Sequence, residues 1–197
     1  MPPSSTRLLG ATLRVLDVGG GDGHRAREEF YPGAEVTTLD LQTGWDVMDA
    51  GLPDGTWDSL LLNHIIEHVS SPDYLLEECY RVMDEWSVLN IGTPNLAAWF
   101  NRAFFLFGYV PHSMELSTQV NVGKWGPWNQ EGIGGHRYVY TLPALTQLLE
   151  FHGFKVYLAR GEASTYPCPA PIRWLDRQLT RRASLASALR VFAAKRV

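Results

Sequence analysis

A glycine-rich loop between a predicted strand and a predicted helix, within residues 14–30, is the feature that most constrains the fold of this chain. The segment Val15–Val18 has the apolar residues of a short buried strand, and four of the five residues that follow are glycines. Because glycine has no Cβ, the backbone of such a loop can adopt positive φ and approach a ligand closely. A strand, a glycine loop and a helix in this order indicate an open α/β sheet with a ligand crevice at the carboxyl ends of its strands.

The spacing of these glycines argues against a dinucleotide site. A dinucleotide fingerprint needs the pattern G-x-G-x-x-G, which places a pyrophosphate on a helix N-terminus. If the pattern starts at Gly19, its last position falls on His24. If it starts at Gly21, its last position falls on Ala26, which only the relaxed form of the motif allows. This second register also begins late after Val18, so an oxidoreductase with a nicotinamide cofactor is a weaker alternative.

An acidic residue follows the second predicted strand. Residues 35–40 are rich in β-branched side chains, as strands are, and they end in Asp40. Asp40 lies 19 residues after Gly21, close to the spacing of about 20 expected for an acid that binds a ribose. A carboxylate can accept hydrogen bonds from both ribose hydroxyls, so we predict that Asp40 binds the nucleoside part of a cofactor. The alternative is a cap on a surface turn.

The pattern Asp-x-Gly-x-Gly-x-Gly, from Asp17 to Gly23, resembles motif I of the class I S-adenosylmethionine-dependent methyltransferases. Residues 54–69 resemble the family's fourth strand and its exit loop. Residues 81–95 resemble the end of a helix followed by the family's fifth strand. In order and spacing, the resemblance covers about residues 14–95. It implies that the glycine loop passes under the methionine part of the cofactor, whose product is S-adenosylhomocysteine, and that Asp40 binds the ribose.

The resemblance also implies a set of cofactor-binding residues. Residues 46–53 resemble the family's third strand, where an acid reaches the adenine amino group. Asp49 fits that position best and Asp46 second. The full predicted set is Asp17, Gly19, Gly20, Gly21, Gly23, Asp40, Leu41, Asp49, Asn63 and His64.

The implied fold is a Rossmann-like α/β domain of three layers, with a seven-stranded, mostly parallel sheet and an antiparallel last strand. We expect residues 1–197 to form one such domain. The predicted strands are 14–18, 35–40, 45–48, 58–63, 87–93, 154–160 and 188–194. The predicted helices are 23–30, 72–83, 96–107 and 141–152.

Several features depart from the family pattern. The glycine-containing turn before the family's fifth strand is replaced by a turn at Asp84–Ser87, which has no glycine. Residues 41–44 alone separate the second and third predicted strands, so the usual helix there is missing or reduced. The N-terminal helix that often covers the cofactor is not predicted before residue 14. These departures motivate an alternative, a non-catalytic protein of the same fold that binds a ligand or a partner.

Residues 94–140 hold 10 of the 23 aromatic residues of the chain. Within them, residues 96–107 are apolar nearly all round, which implies a helix that is buried or that faces a partner or lipid. Because an insertion after the fifth strand would lie over the carboxyl edge of the sheet, we predict that residues 94–140 form a lid over the acceptor site. The alternative is additional core under a long loop.

Two histidines are the predicted catalytic residues. Methyl transfer depends largely on positioning, but a hydroxyl acceptor also needs a base that works near pH 7, and histidine suits that role. His64 directly follows the predicted strand 58–63, and His136 lies just before the predicted helix 141–152. Each could instead have a structural role.

The segment from His64 to His68 also spells H-x-x-E-H, which matches a metalloprotease signature. That motif requires a helix, which puts both histidines on one face, whereas this segment follows a predicted strand. We therefore predict neither a protease nor a bound metal. Ubiquinone-pathway O-methyltransferases resemble this stretch and can bind a divalent ion there, so a metal held by His64, Glu67 and His68 is the alternative.

Composition narrows the possible partners. The net charge is −4, so the whole chain has no electrostatic footprint for nucleic acid. Cys79 and Cys168 lie far apart, which favours reduced thiols. Residues 1–7 lack the apolar region of a signal peptide, and no apolar run of about 18 residues predicts a membrane span. We expect a cytoplasmic protein, with the arginines at 173–182 as a solvated face or, alternatively, a contact for anionic lipid or a phosphorylated acceptor.

The sequence as a whole favours a methyltransferase that uses S-adenosylmethionine. The predicted acceptor is a small molecule, methylated at oxygen: a sugar, a quinone-like ring or a lipid-linked glycan. The aromatic residues of 94–140 favour an acceptor that is partly apolar.

Overall fold

The computed structural model describes residues 12–40, 51–126, 132–164 and 169–196. The strands among them are β1 Arg14–Val18, β2 Glu35–Leu39, β3 Trp57–Asn63, β4 Met83–Pro94, β5 Phe154–Glu162 and β6 Ala188–Lys195. The α-helices are α1 Pro72–Val82, α2 Trp99–Leu106, α3 Leu142–Phe151 and α4 Ala170–Leu179. A π-helical turn, Ala26–Phe30, follows β1, and a short 3-10 helix, Ala183–Leu185, precedes β6.

The described strands form one sheet in the order β2-β1-β3-β4-β6-β5. Neighbours from β2 to β4 are parallel, and β6 runs antiparallel to both β4 and β5. This order confirms the predicted α/β class, with a mostly parallel sheet and an antiparallel last strand. Six of the seven predicted strands are thus present, and the remaining one, 45–48, lies outside the described residues.

The central strand β3 shows why this sheet is parallel and buried. Leu60–Leu62 are at most 1% exposed, and consecutive apolar residues are typical of a strand covered on both faces. Leu62 lies in register with Val18 of β1 and Ile91 of β4. Because these three strands run in the same direction, their carboxyl ends meet at one edge of the sheet.

Two helices begin at the residues that the sequence marks most clearly. The hydroxyl of Ser71 accepts the N–H of Tyr74 at 3.2 Å at the start of α1. The hydroxyl of Thr141 accepts the N–H of Ala144 at 3.3 Å at the start of α3. Each helix also has a proline in its first turn, where a missing N–H costs nothing. The helices predicted at 72–83 and 141–152 are confirmed.

The predicted turn at Asp84–Ser87 is wrong. β4 begins at Met83, directly after α1, and includes these four residues. With no glycine to support a tight reversal, the chain stays extended. Met83 is buried and pairs with Trp57, and a register shift between Trp57 and Ser59 absorbs the additional residues of β4.

Helix α4 was not among the predicted elements. It begins after Pro169 and has Pro171 in its first turn, but its apolar residues Ile172, Trp174 and Leu175 are all exposed. Ile172, Leu175 and Leu179 recur at the spacing of one helix side, so the sequence carried a helical signal that the prediction missed. Among the helices in the described part of the chain, none combines the length and the apolar character needed to cross a membrane.

Candidate active site

The glycine loop, Gly19–Gly23, begins at the carboxyl end of β1. Gly19, Gly21 and Gly23 have φ angles of 72°, 59° and 71°, a region that residues with a Cβ rarely adopt. A Cβ on Gly20 would overlap the carboxylate of Asp17. Around Gly21, by contrast, no described residue beyond its chain neighbours has an atom within 4 Å of the position a Cβ would take. Within the described part of the chain, the loop is therefore closed by its own contacts at Gly20 and open at Gly21.

Asp17 is a buried carboxylate next to this loop. It is 2% exposed, and its Oδ1 has no hydrogen-bond partner among the described residues. Burial raises the pKa of Asp17 to about 6; the nearby Arg27 lowers that pKa, and Asp40 raises it. A buried carboxylate with an unsatisfied oxygen is unfavourable in the folded protein. Such a group is well suited to a ligand that brings a cation or a hydrogen-bond donor.

Asp40 lies directly after β2 and faces the same loop. Its Oδ2 accepts the N–H of Gly21 at 3.0 Å. The N–H of Gly19 donates to the carbonyl of Leu39 at 2.6 Å, so the loop is tied to the end of β2 by two hydrogen bonds. The structure thus brings together Asp17, the glycines and Asp40. The other predicted cofactor residues Leu41 and Asp49, and the second choice Asp46, lie outside the described residues.

Asn63 ends β3 and is held by a buried arginine that sequence reasoning missed. The guanidinium of Arg190, on β6, donates to the Oδ1 of Asn63 at 2.8 Å and to Glu162 at 2.7 Å. It reaches across β4 over Gly92, where a Cβ would contact the guanidinium. Arg190 also lies 4.5 Å above the centre of the Phe30 ring. Asn63 therefore links the end of β3 to β6, whatever else it binds.

His64 follows Asn63 in a strained backbone conformation. Its φ is 60°, the single positive value among the described residues that are not glycine, and such strain is concentrated at functional sites. Its N–H donates to the carbonyl of Gly92 at 2.8 Å. The ring is 42% exposed, while its Nδ1 lies 3.1 Å from Oε1 of Glu67, whose side chain is 1% exposed. The other oxygen of Glu67 accepts the hydroxyl of Thr93 at 3.0 Å.

The turn that contains Glu67 also holds the segment of His136. The carbonyl of Glu67 accepts the N–H groups of Arg137 and Tyr138 at 2.8 and 3.1 Å. On the other side, the Glu115 carboxylate accepts the N–H of His136 at 3.2 Å. The structure therefore places both predicted catalytic histidines beside Glu67. Glu67 was named only as a ligand of the alternative metal site, and Glu115 was not among the predicted site residues.

His136 is a half-buried histidine with a perturbed pKa. Burial lowers the pKa of His136, and the neighbouring His68 lowers it further, against the opposing effect of Glu67 and Glu115. The His68 and His136 rings lie 4.8 Å apart. Burial also lowers the pKa of His112 to about 4, with Lys124 and His136 adding to the effect. The lowered pKa values leave the imidazoles of His112 and His136 neutral at pH 7.

Glu67, His68 and His136 form a group that could hold a metal ion. Their candidate ligand atoms all lie within 4.8 Å of one another. The Nδ1 of His68 lies 3.2 Å from the carbonyl of Gly135, a contact that would fix the ring and leave its Nε2 free to bind. The group differs from the alternative weighed for the H-x-x-E-H segment, because His136 takes the place of His64. The segment is a turn and not a helix, so it lacks the geometry of the metalloprotease motif.

The predicted acceptor segment, 94–140, contains α2 and a cluster of aromatic rings. Phe104 stacks on Trp125 with 6.1 Å between ring centres, and Tyr109 meets Trp125 edge-on at 4.9 Å. Helix α2 is shorter than the predicted 96–107 and is not buried all round. Asn101 is its buried residue, whereas Phe105 and Leu106 are 68% and 85% exposed. The aromatic Trp128 lies outside the described residues.

The fold of the chain is similar to that of several solved methyltransferases. An S-adenosylmethionine-dependent methyltransferase from Archaeoglobus fulgidus matches with a TM-score of 0.58 and 18% identity, over 96% of this chain and 90% of that one. The 1,6-didemethyltoxoflavin-N1-methyltransferase from Burkholderia thailandensis, solved with S-adenosylhomocysteine, matches with a TM-score of 0.57 and 15% identity, over 97% and 74%. A putative methyltransferase from Haloferax volcanii, solved in complex with the activator Trm112, matches with a TM-score of 0.60 and 14% identity, over 95% of this chain and 85% of that one.

Sequence comparison identifies the family. No curated protein matches the chain in sequence. A family model described as a methyltransferase domain matches residues 4–159, which is most of the chain and includes the glycine loop, Asp40, His64 and His136. The chain belongs to this family of methyltransferase domains.

Proposed function

We propose that this protein transfers a methyl group from S-adenosylmethionine to an oxygen atom of a small-molecule acceptor. The observation that carries the proposal is the meeting of two kinds of site at one edge of the sheet. Asp17, the glycine loop and Asp40 provide an anionic, open-sided cofactor site. His64 and Glu67 provide a histidine–carboxylate pair beside it.

The residues at the end of β1 and β2 fit the cofactor by charge and by hydrogen bonding. The carboxylate of Asp17 binds the ammonium of the methionyl end, which gives its buried Oδ1 a partner. Asp40 accepts hydrogen bonds from the ribose hydroxyls. The contacts of Gly20, Leu41, Asp49 and Asn63 rest on the sequence resemblance. When bound, S-adenosylmethionine supplies a methyl group on a positively charged sulfur, which is a good leaving group without acid catalysis.

His64 acts as the base for the acceptor hydroxyl. Glu67 accepts a hydrogen bond from Nδ1 of His64, so that Nε2 carries the lone pair that takes the proton. The carboxylate also stabilises the imidazolium that forms, as the acid of a histidine–carboxylate pair does. Thr93 holds the second oxygen of Glu67, so Glu67 is a positioning residue for His64.

Residues 94–140 form the acceptor side of the site within a single domain, 1–197. His136, held to the Glu67 turn, is the second candidate for the base. Its lowered pKa keeps the ring neutral and able to accept a proton at pH 7. The ring cluster around Trp125 favours an acceptor that is partly apolar, such as a quinone-like ring, a sugar with an apolar substituent or a lipid-linked glycan.

A turnover assay tests the proposal. The full chain is incubated with methyl-labelled S-adenosylmethionine and a panel of sugars, quinols and lipid-linked glycans. We expect transfer to at least one acceptor, and a fall in kcat of about 10²-fold or more in His64→Ala, the usual contribution of a general base. The affinity for S-adenosylhomocysteine should change far less than kcat.

His152→Ala is the matched control. His152 follows α3 and contacts Asp73. It lies just before the start of β5, at the edge of the sheet opposite the candidate active site. Equal kcat values for His64→Ala and His152→Ala would show that His64 is not the base and would assign that role to His136. A folded protein that binds the cofactor but methylates no acceptor would instead support the non-catalytic alternative.

A further inference from the structure

Positive charge is concentrated on one short segment of this acidic chain. Residues 170–182 contain four arginines and one aspartate, a net charge of +3. The remaining 13 basic and 20 acidic residues sum to −7. The aspartate, Asp176, is 4% exposed and accepts hydrogen bonds from Trp99, Ser164 and Ser187. The side chain of Asp176 faces the interior, so the charged side chains that α4 exposes are Arg173 and Arg177, and Arg181 and Arg182 are exposed in the turn that follows.

The same helix exposes apolar side chains. Within α4, all of which the structure describes, Asp176 is the one buried residue. Trp174 is 65% exposed and Ile172 is 45% exposed. A surface helix ordinarily turns its apolar residues toward the core, whereas α4 presents tryptophan, isoleucine and arginine together to solvent. This combination is typical of helices that lie in the interface of a membrane.

A second group of exposed apolar residues ends α2, which contacts the segment after α4. The guanidinium of Arg102 donates to the carbonyl of Ser184, just beyond α4, at 3.0 Å. Phe105 and Leu106 lie three and four residues after Arg102, so they share its side of α2. They are 68% and 85% exposed, and Phe107 is 79% exposed. Three consecutive exposed apolar residues next to a basic segment are unusual for a protein surface that stays in water.

The surface lies at the edge of the sheet that holds the candidate active site. Ala188, the first residue of β6, pairs with Pro94 at the end of β4 and with Glu162 at the end of β5. The connection from β5 to β6, which contains α4, therefore lies at the carboxyl ends of the parallel strands. A bilayer that docks on it therefore approaches the same edge of the sheet that holds the glycine loop and His64.

We propose that the outer side of α4 and the last turn of α2 form a docking surface for an anionic lipid bilayer. Charge complementarity selects this occupant, because arginines attract acidic headgroups while the exposed Trp174, Phe105 and Leu106 enter the boundary of the acyl chains. Docking does not depend on the methyl-transfer chemistry. That the bilayer also presents the acceptor is a corollary that rests on the proposed function.

Vesicle sedimentation with the full chain tests docking without any assay of turnover. The vesicles contain phosphatidylcholine alone or phosphatidylcholine mixed with phosphatidylglycerol. We expect the protein to sediment with the mixed vesicles, less so as salt increases, and not with phosphatidylcholine alone. Arg177→Gln should weaken binding about fivefold, since one basic residue near an anionic surface contributes about 1 kcal/mol. Trp174→Ser should weaken binding at both low and high salt.

Two variants at the opposite edge of the sheet are the controls. Lys155→Gln removes an exposed charge at the start of β5, and Phe151→Ser removes an apolar side chain that is 81% exposed at the end of α3. Both should bind mixed vesicles like the unchanged protein. Failure to bind mixed vesicles, or an equal loss in Arg177→Gln and Lys155→Gln, would overturn the proposal. The proposal would also be overturned if the protein bound no vesicles and formed a dimer that Trp174→Ser dissociates. That result would assign the surface to a second copy of this chain.

Discussion

Replacing Asp17 by asparagine should make the ligand-free protein more stable at neutral pH. In the folded protein burial raises the pKa of this carboxyl from 3.8 to about 6. Each pH unit between these values corresponds to about 1.4 kcal/mol, so ionised Asp17 destabilises the fold by about 3 kcal/mol at pH 7. Asparagine has the same shape and no charge. We expect the free energy of unfolding of Asp17→Asn to exceed that of the unchanged protein by about 2–3 kcal/mol at pH 7.5.

The sign of the pH dependence is fixed by the direction of the shift. Because the folded-state pKa of Asp17 is the higher one, the folded protein binds more protons than the unfolded chain between about pH 4 and pH 6. The contribution of Asp17 to stability therefore falls as the pH rises through this window. Below about pH 4 the carboxyl is protonated in both states, so the gain from Asp17→Asn should vanish there.

The same substitution should weaken the cofactor site. A charged hydrogen bond is worth about 1.5–3 kcal/mol, so the affinity for S-adenosylhomocysteine should fall about 10- to 100-fold. Urea unfolding followed by circular dichroism at several pH values measures the first effect, and calorimetric titration measures the second. Glu28→Gln, at an exposed carboxylate on the helical turn after the loop, is the control. The variant and the unchanged protein differ in their free energy of unfolding. If that difference is no larger at pH 7.5 than at pH 4, the reasoning about burial is refuted.

Further predictions concern the neighbouring residues. Asp40→Ala should weaken cofactor binding by about 1–3 kcal/mol, because two hydroxyls lose a charged partner; unchanged affinity in titration calorimetry would remove Asp40 from the site. Gly19→Val should abolish cofactor binding, because φ is positive there and the added atoms would meet Ile65; normal binding by a folded variant would contradict this. Chelators should leave turnover unchanged if His64 is the base; loss of activity that a divalent cation restores would assign Glu67, His68 and His136 to a metal.

The sheet could be predicted because its signals are local. Val15–Val18 and Leu60–Leu62 are short apolar runs followed by glycine or polar residues, and Ser71 with Pro72 marks a helix start by itself. Such patterns depend on the hydrogen bonding and packing of neighbouring residues in the chain. The last strand, β6, was predicted from the mostly apolar residues 188–194 and from the resemblance to the family's antiparallel last strand.

The arrangement of the site could be predicted only in part. Asp40 could be placed near the glycine loop, since the ends of neighbouring parallel strands meet. The pairing of His64 with Glu67 accompanies a positive φ at His64, a conformation that is uncommon at any residue other than glycine and that the sequence alone did not predict. His68 contacts His136, which lies 68 positions later in the chain. Asn63 contacts Arg190, which lies 127 positions later. Such contacts depend on tertiary packing.

The exposed apolar residues of α2 and α4 show a second limit of prediction from the sequence. The aromatic run at the end of α2 indicates a buried or partnered helix by composition, yet Leu106 is 85% exposed. In α4, the buried residue is an aspartate that three donors satisfy. An apolar pattern shows which residues of a helix lie on one side, but not whether that side meets the core or solvent, so the exposure of α2 and α4 could not be read from the sequence.

Calorimetric titration of the full chain with S-adenosylmethionine and S-adenosylhomocysteine, with NAD as the control ligand, tests the central claim most directly. The account predicts micromolar binding of both adenosyl ligands, weakened affinity in Asp40→Ala, and no binding of NAD. A folded protein that binds neither adenosyl ligand, or that binds NAD instead, would contradict it.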